Sequence, residues 1–342
     1  MISRAFITGV SGPELSAAER EFIRTERPWG FILFRRNIET PAQVILLISE
    51  LRKELGEPDA PVLIDQEGGR VQRLGPPHWP VYPPGAIFGA LYDLDPALGL
   101  SAARLSARLI AADLIETGVT VDCLPLADVP VAGADAVIGN RAYGTEPAKV
   151  AAIARAVTEG LAQGGILPVL KHIPGHGRAT ADTHFRLPEV ETSRAELERT
   201  DFAAFQPLAD LPMAMTAHVV FSALDPAHPA TTSATIIEQV IRGVIGFQGL
   251  LMSDDVSMNA LSGSIAERTR AILAAGCDMV LHCNGKLDEM REVVRETPEL
   301  SGKALQRAKR ALASRGAPQP FDRLAGRAEL DALVERAETA GV

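Results

Sequence analysis

Eight short apolar runs recur along the chain, most of them followed by a stretch with helical character. They are Ala5–Thr8, Gly30–Phe34, Pro61–Asp65, Val119–Leu124, Leu167–Lys171, Met213–Ala217, Gly249–Ser253 and Met279–His282. Near-continuous apolar strands are what a parallel sheet covered on both faces requires. Helical patterns fall at Thr40–Leu55, Ser101–Thr117, Pro147–Gln163, Ser233–Val244, Ser264–Gly276, Gly285–Glu296 and Ser301–Ser314. The first opens on Thr40-Pro41, an N-cap followed by proline just inside the helix. Eight strands alternating with helices predict an α/β fold, a single (β/α)8 TIM-type barrel, with residues 1–342 forming one catalytic domain. An open doubly wound sheet is the structural alternative. Ile7–Gly12 lacks the Gly-x-Gly-x-x-Gly spacing, which argues against a dinucleotide site.

Two further segments complete the layout. Gly75–Ala86, dense in proline and aromatic residues, reads as a long ordered loop over the barrel mouth. The pattern near Arg327–Thr339 reads as a last helix packed outside the barrel, leaving no room for a second catalytic domain.

Charge narrows the class of partner. The net charge of -9 leaves no basic surplus to meet phosphates, so no nucleic-acid partner is expected. No apolar run approaches the roughly 18–20 residues that span a bilayer, so no membrane association is expected. The N-terminus reads as a first strand rather than a targeting signal, and a cytoplasmic protein is the expectation. Cys123, Cys277 and Cys283 have no metal-type spacing and read as reduced, buried thiols.

In a barrel, chemistry gathers at the C-terminal ends of the strands. The third strand ends in Asp65-Gln-Glu-Gly-Gly-Arg-Val-Gln-Arg73. The fourth runs out to Asp128 and a loop carrying Ile138-Gly-Asn-Arg141. The fifth ends in Lys171-His172, the sixth in Thr216-Ala-His218, the seventh in Ser253-Asp254-Asp255 and the eighth in His282-Cys-Asn284. Carboxylates mixed with arginines, a lysine and histidines suit a neutral, hydroxyl-rich ligand, because a sugar hydroxyl can donate to one group and accept from another. Asp65 and Asp254 fall on opposite sides of the mouth, so one can bind while the other attacks. The adjacent acids Asp254 and Asp255 should point opposite ways, with at most one facing the barrel axis. His218 and His282 read equally well as structural hydrogen-bonders, and His78 as a surface residue.

The loop after the fifth strand holds His172, His176, Asp182 and His184. A metal site is one reading. The favoured reading pairs Asp182 with His184: at this i, i+2 spacing the carboxylate can orient the imidazole and raise its pKa, making a general acid/base.

These residues also carry a family resemblance. Lys171-His-Ile-Pro-Gly-His-Gly177 followed by Asp182-Thr-His184 resembles the signature of glycoside hydrolase family 3 β-N-acetylglucosaminidases. Asp65–Arg73, Ile138–Arg141 and Ser253-Asp-Asp-Val-Ser-Met258 match three more motifs in the family's order. The resemblance covers about the whole chain and is nearest to the short, cytoplasmic, single-domain bacterial enzymes of peptidoglycan recycling. It implies a retaining exo-hydrolase that releases terminal N-acetylglucosamine from 1,6-anhydro-muropeptides. It further implies Asp254 as nucleophile, His184 as acid/base with Asp182 as its partner, and Asp65, Arg73, Arg141, Lys171 and His172 as sugar-holding residues. His176 belongs to the same motif and is expected to shape the substrate loop. Gly175 and Gly177 are expected to hinge that loop. Ile173 and Thr183 stand where the family uses Phe and Ser, and Arg178 where a smaller residue is expected. No cofactor and no metal are implied. The expected partner is a small-molecule glycoside or muropeptide, and a monomer is expected rather than an oligomer. Three competing readings are a phosphorylase in which phosphate intercepts the same intermediate, a metal-dependent hydrolase and a non-catalytic sugar-binding protein.

Overall fold

The computed structural model describes residues 2–179 and 187–339. Eight parallel strands close into a barrel: β1 (Arg4–Thr8), β2 (Pro28–Leu33), β3 (Val62–Ile64), β4 (Val121–Asp122), β5 (Leu167–Ile173), β6 (Met213–Thr216), β7 (Leu250–Asp255) and β8 (Met279–His282). Neighbours follow chain order, and β8 closes on β1 with Phe6 beside Val280 and Thr8 beside His282. All eight expected runs therefore become barrel strands. The fourth is shorter than its apolar run, although Leu124 and Pro125 still accept the N–H groups of Val169 and Lys171 from the fifth.

Side chains alternate in and out along each strand. Ile7, Ile32, Leu63, Val121, Val169, Met215, Met252 and Leu281 fill one interior cluster. The residues beside them, including Phe31, Ile64, Leu170, Leu251 and Val280, face the surrounding helices in a second and larger core. Both faces are thus apolar, which is why the strands show as runs rather than as alternation.

The helices follow the expected spans closely. Pro41–Leu55 is capped by the Thr40 side chain, and Pro147–Gln163, Ile265–Ala275, Leu287–Glu296 and Gly302–Ala313 follow. Ile236–Val244 is wound as a π-helix. Several helices go beyond the expectation. Ala17–Glu26 opens with a capping box between Ser16 and Glu19. Arg194–Arg199 and Asp201–Phe205 fill the connection from β5 to β6. The last helix starts at Arg323 and packs outside the barrel on Pro96–Thr117 and Gly85–Leu94.

The Gly75–Ala86 segment departs from its expected place. Gly85 already begins a helix. The segment buries Trp79 and Tyr82, and its His78 is exposed. The Tyr82 hydroxyl donates to Asp113 at 2.6 Å, on the helix behind it. None of the segment's residues lines the central cavity. It packs instead behind the small hairpin of Gln66–Gly68 and Val71–Gln72, where Gly69 donates to the Tyr82 carbonyl at 2.8 Å. Among the described residues, no helix is long and apolar enough to cross a membrane.

Candidate active site

The in-out alternation carries past the strand tips and selects the polar groups that face the axis. Asp65 lies two residues beyond inward-facing Leu63, Lys171 two beyond Val169 and Asp254 two beyond Met252. Phe34 and Cys283 stand in the same relation to Ile32 and Leu281. All five line one cavity of about 160 Å³, whose apolar floor includes Ile32, Met215 and Leu281. Drug-sized ligands occupy pockets of roughly 300–1,000 Å³, so this one suits a single small ring.

One wall is an ion network. Lys171 is almost completely buried, with Nζ 2.9 Å from Asp65 Oδ1 and 2.6 Å from Glu67 Oε1. Asp65 also meets Arg73 at 2.9 Å. Glu67 takes Arg141 in a bidentate pair, both contacts 2.8 Å. A buried lysine without partners would be costly, and here two carboxylates compensate it. Burial pushes both carboxyls upward, but the cations outweigh it. Lys171 and Arg73 hold Asp65 well below the usual carboxylate range. Lys171 and Arg141 bring Glu67 down to about 2. Burial alone would lower Lys171, yet Asp65 and Glu67 keep it above its ordinary value. The wall therefore presents fixed charges of both signs, which neutral hydroxyls can satisfy as donors and acceptors.

A second cluster stands beside it. His172 Nδ1 lies 2.8 Å from Asp128 Oδ2. The other Asp128 oxygen accepts the backbone N–H of His176 at 2.7 Å. Burial raises the Asp128 carboxyl, but the His172 ring brings it down to about 2. The His176 ring packs edge-on to that of His172, with centroids 5.6 Å apart, and its Nδ1 is buried without a partner among the described residues. Burial, then the neighbouring His172, lowers His176 to about 4.

Across the cavity, Asp254 accepts the N–H of Asp255 on Oδ1 at 2.8 Å. The register between β7 and β8 slips here: Met252 pairs with Met279, but Asp255 pairs with Leu281. Three residues on β7 thus match two on β8, and the strict alternation fails. Both acids line the cavity, against the expectation that at most one would. Their carboxyls differ in use. Asp255 is engaged by the N–H groups of Ser257 and Cys283, each at 3.0 Å, and by the Ser257 hydroxyl at 2.6 Å. Asp255 braces the turn and leaves Asp254 as the acid available to a ligand.

Asp65, Arg73, Arg141, Lys171, His172, His176 and Asp254 all come together around this one cavity. Asp182 and His184 lie outside the described residues. Glu67 and Asp128 are the residues that sequence reasoning passed over. Glu67 sits inside a motif already singled out, and its in-out parity with Asp65 was the available signal. No local pattern pairs Asp128 with a histidine 44 positions later. His218 is structural, bonded to Thr231 Oγ1 at 2.8 Å and to the Asp255 carbonyl at 3.0 Å. His282 is buried, 3.5 Å from Glu289, and does not line the cavity.

The base of the loop is tied down. A side chain at Gly177 would bring Cβ within 2.1 Å of the Val129 carbonyl oxygen, so close packing alone demands glycine there. Arg178 is anchored by Asp201 at 2.6 Å and by the Thr200 hydroxyl at 3.0 Å. Among the described residues, no group of three or more His, Cys, Asp or Glu is arranged to hold a metal ion.

Comparison with known proteins supplies the relatives of this arrangement. Residues 6–314 match the model of the glycosyl hydrolase family 3 N-terminal domain. A beta-hexosaminidase of Alkalilimnicola ehrlichii is 38% identical over 303 residues, which cover 87% of this chain and 86% of the relative. One of Bordetella avium is 36% identical over 315 residues, covering 90% and 88%. Among solved structures, NagZ from Neisseria gonorrhoeae in complex with N-trifluoroacetyl-D-glucosamine superposes with a TM-score of 0.84 at 30% identity, covering 98% of each chain.

Proposed function

The chain belongs to glycosyl hydrolase family 3 and is a glycoside hydrolase of the beta-hexosaminidase kind, and from that premise we propose that it is a retaining exo-β-N-acetylglucosaminidase. Its substrate is a terminal, non-reducing β-N-acetylglucosamine, carried on the 1,6-anhydro-N-acetylmuramic acid muropeptides of peptidoglycan recycling. In this reading it works in the cytoplasm as a monomer with one catalytic domain.

The observation that carries the reading is Asp254. It is the acid left available at the tip of β7, across the cavity from the Asp65, Lys171, Glu67 and Arg141 network. In the proposed sequence, Asp254 attacks the anomeric carbon while the bond to the aglycone oxygen breaks. His184, oriented by Asp182, gives its proton to that departing oxygen. Water then attacks the same carbon and returns a proton to His184, and Asp254 is released. Asp65, Arg73, Arg141, Lys171 and His172 hold the sugar, and His176 supports the loop. The roles of Asp182 and His184 rest on the family resemblance.

Incubation with 2-acetamido-2-deoxy-5-fluoro-β-glucosyl fluoride, followed by peptide mass spectrometry, tests this. A glycosyl adduct on Asp254 is expected, and an adduct on another residue would overturn the assignment. Product analysis in phosphate buffer should give free N-acetylglucosamine. N-acetylglucosamine 1-phosphate as the main product would identify a phosphorylase instead.

A further inference from the structure

His218 is completely buried just beyond the tip of β6, and its two ring nitrogens meet partners on different elements. Nδ1 lies 2.8 Å from the Thr231 hydroxyl, in the short 3-10 turn Ala230–Thr232. That hydroxyl is held in turn by the Ala217 carbonyl at 2.8 Å and by the Thr216 hydroxyl at 2.9 Å. Nε2 lies 3.0 Å from the carbonyl oxygen of Asp255. A carbonyl can only accept, so Nε2 carries a proton and donates it there. Each nitrogen has a partner, which offsets the cost of burying the ring.

The place where this hydrogen bond ends gives it a consequence for the reaction. The ladder between β6 and β7 pairs Met213, Ala214 and Met215 with Leu250, Leu251 and Met252, and among the described residues it reaches no further. On its other side Asp255 pairs with Leu281 of β8, where the register slips. The imidazole therefore extends the hold of β6 on β7 past the last main-chain pair, to the residue beside Asp254. The peptide on the near side of Asp255 donates its N–H to Asp254 Oδ1 at 2.8 Å. One oxygen of the Asp254 carboxylate is thus tied to a residue whose own backbone is clamped by His218. His218 itself does not line the cavity, whereas Asp254 and Asp255 do. A reacting group displaced by about 1 Å can lose roughly a hundredfold in rate, so the clamp bears on chemistry without touching the sugar.

We propose that His218 is a positioning residue for the first chemical step: by holding the Asp255 carbonyl it fixes the main chain from which Asp254 attacks the anomeric carbon, and Thr231 fixes the ring that does so. The proposal rests on the assignment of Asp254 as nucleophile and adds to it a residue that stands outside the cavity.

Fluoride departs without a proton, so labelling by 2-acetamido-2-deoxy-5-fluoro-β-glucosyl fluoride reads the attack of Asp254 apart from acid catalysis. The labelling rate is compared among wild type, His218→Leu, His218→Gln and Thr231→Val, beside the inhibition constant of N-acetylglucosamine and the melting temperature. His218→Leu keeps apolar bulk and removes the donor. It is expected to slow labelling by about ten- to a hundredfold and to leave the inhibition constant unchanged. His218→Gln can bring an amide N–H to the place of Nε2 and is expected to recover most of the rate. Thr231→Val is expected to slow labelling by a smaller factor, because the ring loses its support. A lower melting temperature with a wild-type labelling rate in His218→Leu is what a merely structural histidine gives, and it overturns the proposal. So does a loss of rate matched by an equal loss in sugar binding, or His218→Gln as slow as His218→Leu. If His218→Leu does not fold, Thr231→Val decides, and labelling at the wild-type rate overturns the proposal. A wild type that takes no label, or takes it on a residue other than Asp254, overturns the nucleophile assignment itself. Label on Asp254 with unchanged rates in the variants overturns this proposal alone.

Discussion

The ammonium of Lys171 lies 2.6 Å from Glu67 Oε1, with 2% and 4% of the two side chains exposed. Glu67 also supplies both oxygens of the Arg141 pair, so a single carboxylate sets the position of two cations in the cavity wall.

Removing that carboxylate should therefore cost more than a surface pair would. Glu67→Ala is expected to lose about 3 kcal/mol, the low end for breaking a buried pair, because Asp65 still faces Lys171. Urea denaturation at neutral pH measures it. A loss under 1 kcal/mol would show that the network relaxes without Glu67.

Among the described residues, Asp128 reaches the cavity through His172 and the His176 backbone. Asp128→Asn keeps the shape but replaces a carboxylate with an amide, so the His172 ring loses its charged partner. We expect kcat/KM on a nitrophenyl glycoside to fall roughly ten- to a hundredfold, the kinetic equivalent of a disrupted buried hydrogen bond to a charged group. A fall in stability with unaltered kinetics would make Asp128 purely structural.

Gly177 packs against the Val129 carbonyl, whereas Gly12 has nothing within 4 Å of where a Cβ would sit. Gly177→Ala should destabilise by about 1–3 kcal/mol, as overpacking does, and Gly12→Ala should be near neutral. Thermal melts of the pair, with sugar-binding and turnover assays, also separate packing from hinging. Turnover lost well beyond the loss in binding would restore a hinge role.

Stability should fall with pH in a defined window. His176 is held neutral in the fold, its pKa lowered from 6.5 to about 4 by burial and the neighbouring His172. As pH drops through 6.5 the unfolded chain takes up this proton and the folded one does not, so the unfolded state is favoured progressively down to about 4. Glu67 and Asp128, both lowered to about 2, extend the decline below their ordinary values of 4.5 and 3.8. Melting temperature against pH should slope downward between 6.5 and 4, and His176→Gln should flatten that slope. An unchanged slope in the variant would assign the window to other groups.

The architecture was legible in the sequence because it depends on local periodicity. Runs of apolar residues at regular intervals admit few solutions other than strands buried on both faces. Parity then did much of the rest: the inward residues Leu63, Val169 and Met252 point forward, two positions on, to Asp65, Lys171 and Asp254. Three things lay beyond that reach. The slip between β7 and β8 that turns both Asp254 and Asp255 to the cavity depends on pairing with another strand. The partnership of Asp128 with His172 and the sharing of Lys171 between two carboxylates join segments far apart in the chain. Among the described residues, Arg35, Arg36 and Arg70 are held by main-chain oxygens, which depends on the groups that surround them, and composition alone pointed to an acidic protein. Sequence by itself determined which residues face the axis wherever the in-out alternation holds, since that depends on spacing along one strand. Tertiary structure decided which of them are paired, braced or left free, since that depends on distances between strands.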